Sequence, residues 1–290
     1  MIISFSQDEK GRAKMATSSS GHKTAKATEE GRSLVGRIAD IMDAFDGDAS
    51  VLTLVELSRR SGLPKSTAHR LAEQLRELGW LERDYRGYRV GIRLFELGGL
   101  AVGHNQLREA ALPHLHALAT KTGHAVQLGV LAGDEVVYLE RIVVGPYRLP
   151  THPGARMPAY CTGLGKAMLA FDEIAAERVL DSELPGRTPT TITSADRLRD
   201  ALELVRETGV AFDLQEAYEG MGCVAAPIRN AGRAIGAVSV TGPISRVSLP
   251  ELATAVQATA TNIWNERFEP NRRHTSKAAR TAPSPVNVAS

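Results

Sequence analysis

The segment Gly62-Leu63-Pro64-Lys65-Ser66-Thr67-Ala68-His69-Arg70-Leu71 constrains this chain more than any other, because it reads as a tight bend delivering a helix with a polar, cationic outer face. Ala68, Leu71, Leu75 and Leu78 recur at steps of three and four and predict a buried stripe, which leaves Lys65, Ser66, Thr67, His69, Arg70 and Gln74 off the core. Pro64 suits a first helical turn, where a missing N–H costs no intrahelical bond, and Gly62 suits the bend between two helices. Upstream, Thr53 and Glu56 have the spacing of a capping box that opens a helix through Leu57 to Arg60, ended by Ser61-Gly62. Leu34, Ile38, Ile41, Met42 and Phe45 predict a still earlier helix that stops at Asp46-Gly47-Asp48. Downstream, Gly79-Trp80 turns the chain into Leu81-Glu82-Arg83 and, past Asp84-Tyr85-Arg86-Gly87, into Tyr88-Arg89-Val90, two short strands around a basic turn. This order predicts a helix-turn-helix whose second helix enters a major groove, with a wing whose Arg86 and Arg89 reach phosphate or minor groove.

A net charge of +2 over 290 residues is too small to argue for nucleic acid, so the distribution of charge carries the weight. Between positions 59 and 93 nine Lys and Arg side chains stand against four carboxylates. The same residues also fit an ordinary solvated helix face. With 43% hydrophobic residues the chain has room for two domains and a real core. No apolar run approaches the length of a membrane span, and the two cysteines, Cys161 and Cys223, have no metal-ligand neighbours. A cytoplasmic protein with reduced thiols, no cofactor and no metal is the expectation.

The expected fold class is α+β. Residues 1–30 read as a disordered arm, 31–91 as the winged helix-turn-helix domain, 92–104 as a linker helix, 105–268 as a larger domain and 269–290 as a disordered tail. Within the larger domain a hairpin is expected from His124–Leu131 and Glu135–Ile142, and strands over Val210–Leu214, Cys223–Ile228 and Ala234–Val240. Helices are expected over Gly165–Phe171, Ala175–Leu180, Ala195–Thr208 and Leu249–Phe268, giving a mainly antiparallel sheet with helices packed on it.

Three blocks then coincide. The first is Gly62 to Thr67 with His69-Arg70-Leu71, Gly79, Tyr88 and Gly91. The second is Pro153-Gly154, Met157-Pro158 and Thr162-Gly163-Leu164-Gly165-Lys166-Ala167. The third is Gly209 to Asp213, Glu216, Gly220, Cys223 to Pro227 and Ala237 to Pro243. In this order and spacing the chain resembles the IclR family of bacterial transcription regulators over residues 33 to about 266. The resemblance implies a winged helix-turn-helix domain, a linker helix and a GAF-like effector domain, in a homodimer that often pairs again to a homotetramer, and the two-fold symmetry of such a dimer predicts an inverted-repeat operator in double-stranded DNA. It also implies an effector site at Gly163, Leu164, Asp213, Met221, Cys223, Ser239 and Thr241, with Met157 on the apolar wall. Many relatives carry a His just before the Thr-Gly block, where this chain has Tyr160-Cys161.

Backbone N–H groups at Gly163 and Leu164, next to a helix start, suit a small carboxylate effector, and Ser239 and Thr241 offer hydroxyls two apart on one strand face. Asp213 opposes an anion unless it is protonated or bonds a ligand hydroxyl. From spacing alone these are equally the residues of a tight loop and an ordinary strand. Gly165-Lys166 is no phosphate loop, since Tyr160 stands where its first glycine belongs and Ala167 follows the lysine. Two further readings stay open on the residues: an enzyme with Cys161 or Cys223 as nucleophile, His152 as base and Asp213 as orienter, or a ligand-sensing scaffold whose helix-turn-helix binds a protein.

Overall fold

The computed structural model describes residues 33–45, 51–144 and 149–268. The expected arm, tail and Asp46-Gly47-Asp48 stop lie outside them. The chain divides into two compact units after Gly91.

The first unit holds α1 (Leu34–Asp43), α2 (Leu54–Ser61), α3 (Lys65–Glu77), β1 (Leu81–Asp84) and β2 (Gly87–Val90). The capping box forms: the Thr53 hydroxyl accepts from Glu56 N, and Glu56 accepts from Thr53 N at 2.9 Å. Gly62 ends α2 in the left-handed region, at φ 69°, so the bend depends on a glycine. Ile41, Leu57, Leu63, Ala68, Leu71, Ala72, Leu75, Leu81 and Tyr88 pack into one core. Two residues assigned to buried stripes face out instead. Leu78 is 65% exposed because α3 ends at Glu77 and Gly79 carries the chain away, and Leu34 lies in the first turn of α1, ahead of the half that is covered. β1 and β2 pair antiparallel, Leu81 against Val90 through Asp84 against Gly87, and Leu52 bridges Tyr88 by two backbone hydrogen bonds of 2.8 Å. Gly87 permits that bridge, since a Cβ there would fall 2.1 Å from the Leu52 carbonyl oxygen.

The second unit begins with α4 (Ile92–Gly99) and α5 (Val102–Thr122), the break between them falling at Leu100-Ala101. There follow β3 (Ala125–Ala132), β4 (Glu135–Ile142), β5 (Arg156–Pro158), a single 3-10 turn (Ala159–Cys161), α6 (Gly163–Leu169), α7 (Glu173–Leu180), α8 (Ala195–Thr208), β6 (Ala211–Leu214), β7 (Met221–Ile228), β8 (Gly236–Pro243) and α9 (Leu249–Phe268). Six strands form one antiparallel sheet in the order β5-β4-β3-β8-β7-β6. The short β5 was not read from the sequence, and α6 starts at Gly163 rather than Gly165 because the Thr162 hydroxyl caps it, accepting from Gly165 N at 3.0 Å.

Strand alternation divides the sheet into two faces. Val126, Leu128, Val130, Val224, Ala226, Ile228, Val238 and Val240 pack with residues of α5 and α9. The other face carries Cys223, Ala225, Ala237 and Ala211 and packs with α6, α7 and α8. Its small side chains let α6 come close, since a Cβ on Gly163 would lie 2.9 Å from Cys223 Sγ, and on its other side a Cβ on Gly165 would lie only 2.1 Å from the Ala159 carbonyl oxygen of the 3-10 turn.

Candidate functional site

In the first unit, Lys65, Ser66, His69 and Arg70 are exposed on α3 and Thr67 is half-buried, while Ala68, Leu71, Ala72 and Leu75 occupy the opposite side. Lys65 and Arg70 have no carboxylate partner among the described residues. Pro64 supplies no side-chain cap, so the first-turn amides of α3 stay open to an acceptor such as a phosphate oxygen. At the wing tip Tyr85 is 90% exposed and the Arg86 guanidinium sits over its ring at 5.2 Å. Arg89 is less free than its sequence position implies. Its Nε and one terminal nitrogen both donate to Glu82 Oε2, at 2.9 and 2.7 Å.

In the second unit, register assembles a cleft. Asp213 on β6 stands opposite Cys223 on β7, which stands opposite Thr241 on β8, a row of three across neighbouring strands. The first turn of α6 lies over that row, and between them runs a narrow cleft that is partly open to solvent. Of the residues expected there, Gly163, Leu164, Asp213, Met221, Cys223 and Thr241 line it, and Met157 and Ser239 do not. Met157 lies behind Tyr218, whose hydroxyl contacts its sulfur at 3.2 Å. Ser239 sits one row along β8, opposite Ala225 and Gln127, wholly buried and with its hydroxyl unpartnered.

Five further polar or aromatic side chains line the walls: Gln127, Tyr138, Thr151, Thr162 and Tyr218. The Gln127 amide accepts from the Thr241 hydroxyl at 3.0 Å and donates to Thr151 Oγ1, and Arg141 donates to the Thr151 carbonyl oxygen. Gln127 in an otherwise apolar strand was the one available signal, since a buried amide needs partners. Nothing local marks Tyr138 or Tyr218.

Electrostatics of the cleft centre on Asp213. Its Oδ1 accepts from Glu216 N at 2.7 Å and Ala217 N at 3.3 Å, in a turn made possible by the left-handed Gln215 at φ 66°. Burial pushes its carboxyl up to about 7, with the Glu216 charge adding to the rise and the Lys166 ammonium and the two amides opposing it. Lys166 and Glu216 form a salt bridge almost wholly out of solvent, in which Glu216 Oε2 has no partner. At the start of α6, Gly165 N is taken by Thr162 Oγ1 and Lys166 N by the Thr162 carbonyl, leaving the Gly163 and Leu164 amides without an intrahelical partner. The cleft thus offers two backbone donors, a hydroxyl and a carboxyl near its neutral form.

The same geometry removes the nucleophile reading. Both thiols are buried, and burial pushes each up to about 12, so neither Cys161 nor Cys223 is a thiolate near neutral pH. His152 bonds the neighbouring Pro153 carbonyl rather than either cysteine.

Residues 34–85 match the IclR helix-turn-helix domain, and residues 99–265 match the C-terminal domain of bacterial IclR transcriptional regulators. The HTH-type transcriptional regulator XynR of Escherichia coli K12 is 35% identical over 232 residues, covering 76% of this chain and 89% of that protein. The glycerol operon regulatory protein of Streptomyces griseus is 33% identical, covering 78% and 93%. Among solved structures, an IclR homolog of Microbacterium hydrocarbonoxydans complexed with 4-hydroxybenzoate superposes with a TM-score of 0.74 at 28% identity, covering 82% of this chain and 100% of that one. With a helix-turn-helix unit, an effector-domain sheet and relatives that are regulators rather than enzymes, this chain belongs to the IclR family of transcriptional regulators.

Proposed function

We propose that the chain is a ligand-responsive, sequence-specific regulator in the cytoplasm, whose distal cleft takes a small organic acid and whose α3 reads an inverted-repeat operator. The row Asp213, Cys223, Thr241 beneath the first turn of α6 carries this reading. The acid's carboxylate meets the Gly163 and Leu164 amides, and Asp213, holding its proton up to about pH 7, bonds the ligand without repelling it. The Microbacterium homolog, solved with 4-hydroxybenzoate, supports an aromatic or similarly small acid as the first probe. Lys65, Ser66, Thr67, His69 and Arg70 hold bases and phosphates, and Arg86 reaches the duplex from the wing. Arg89, tied to Glu82, serves the wing's shape more than the contact.

The apolar surface of α4, where Ile92 and Phe95 are exposed and no residue is buried, supports a homodimer, and its further pairing to a homotetramer rests on the family resemblance. Effector binding must favour one arrangement of this assembly over another, because only differential affinity shifts DNA occupancy. The test is calorimetric titration of the full chain with 4-hydroxybenzoate, pyruvate and benzoate, repeated on Thr241→Val. Saturable binding of at least one acid, lost in the variant, supports the site; an acid that binds parent and variant alike removes it.

A further inference from the structure

Beyond the groove-facing residues, the first unit carries a shallow, open depression between α3 and β1, lined by His69, Glu73, Arg76 and Arg83. Residues 69, 73 and 76 fall on one face of α3 by helical spacing, and Arg83 reaches in from the wing. Its hydrogen bonds converge on one carboxylate. Arg76 Nε donates to Glu73 Oε2 at 2.8 Å, and the Tyr88 hydroxyl donates to Glu73 Oε1 at 2.7 Å. An Arg83 terminal nitrogen lies 3.6 Å from that same Oε1, with its guanidinium over the Tyr88 ring at 4.7 Å. Tyr88 itself is buried and bridged through its backbone to Leu52, so the chain Leu52, Tyr88, Glu73 ties two exposed arginines to the domain core.

Glu73 supplies the acceptor that the buried Tyr88 hydroxyl needs, but the exposed ion pairs of Arg76 and Arg83 with it contribute little to stability, so folding does not account for the two arginines. Arg76 commits only Nε to Glu73, and its terminal nitrogens remain available alongside those of Arg83. Two guanidinium forks, one from the recognition helix and one from the wing, both lining this depression, match the chemistry of a phosphodiester.

We propose that this depression clamps a DNA backbone phosphate between Arg76 and Arg83, and that Glu73, anchored by Tyr88, is the positioning residue that aims both. The proposal rests on the DNA-binding role of α3 and adds a contact that Lys65 and Arg70 do not make. A carboxylate in a phosphate site looks unfavourable by charge, which is what makes its role testable.

The probe is a fluorescein-labelled duplex of about 30 base pairs selected by the full chain from a random-sequence pool, with affinity followed against salt by anisotropy. Each lost phosphate contact lowers the slope of log K against log salt by about 0.9 per bound protomer, and so weakens binding about eightfold at 0.1 M salt. Arg76→Ala and Arg83→Ala are each expected to show that loss, as is Arg70→Ala, the reference for the wider reading. Glu73→Gln removes a negative charge yet is expected to bind more weakly than the parent, and Tyr88→Phe, with no charge change, to follow it. Thermal melts confirm that each variant is folded, and Arg76→Gln and Arg83→Gln replace any alanine variant that is not. If Arg70→Ala weakens binding while both Arg76 and Arg83 variants keep the parent affinity and slope, the clamp is wrong and the groove reading stands. If no variant changes binding, both are wrong. If Glu73→Gln binds as tightly as the parent or tighter, Glu73 aims nothing.

Discussion

Replacing Asp213 with Asn removes one proton-binding site while keeping an oxygen for the Glu216 and Ala217 amides. Burial raises this carboxyl from its ordinary 3.8 to about 7 in the folded chain. Between those values the folded protein retains a proton that the unfolded protein has released, so stability falls as pH rises through the window and the full cost stands above it. A rise of about 3 units at about 1.4 kcal/mol each amounts to about 4 kcal/mol. The uncharged amide of the variant carries no such dependence. Urea unfolding from about pH 4 to about pH 8, in a Trp80→Phe background so that fluorescence reports Trp264 in the second unit, isolates the effect as variant minus parent. The difference is expected to grow with pH toward about 4 kcal/mol in favour of the variant, then level above pH 7. A difference independent of pH would refute the assignment of a buried, neutralised carboxyl.

Lys166→Met leaves Glu216 as an unpaired charge in the same interior and is expected to cost about 3–5 kcal/mol, read as a lowered urea midpoint of the second unit. Lys166→Met combined with Glu216→Leu should recover much of that loss, since the pair's own net contribution is small. Gly165→Ala sets a Cβ 2.1 Å from the Ala159 carbonyl oxygen, a backbone atom that cannot yield, so the melting temperature should drop by the equivalent of about 1–3 kcal/mol or the chain should fail to fold. Gly98→Ala, on α4 with nothing within 4 Å of the added Cβ, should instead leave the melt unchanged or raise it.

Local chemistry was legible and pairing at a distance was not. The Thr53/Glu56 box, the Gly62 bend and the Ala68, Leu71, Leu75 stripe each depend on neighbours within one or two helical turns, and each stands where the residues place it. Leu78 kept the helical period but fell beyond the last turn, where period no longer determines burial. β5 has only three residues and takes its extended form from β4, through pairing of Arg156 with Val137 and a 2.6 Å ion pair from Arg156 to Glu135. The cleft divides in the same way. Asp213, Cys223 and Thr241 were named through family resemblance, yet what joins them is the register of β6, β7 and β8, and that register also moves Ser239 one row out. Tyr138 enters the cleft because β4 shifts against β3 between Leu128 and Gly129, an irregularity that no local pattern announces. Gly163 has a packing reason of its own, the 2.9 Å approach to Cys223 Sγ, beside any part it plays with a ligand.

The most direct test of the outward face of α3 as the DNA-reading surface is hydroxyl-radical footprinting of a selected duplex with the parent chain and with a Lys65→Ala/Arg70→Ala double variant. Two protected segments about one helical turn apart, present with the parent and lost with a folded double variant, are expected. Identical protection by both proteins would contradict it.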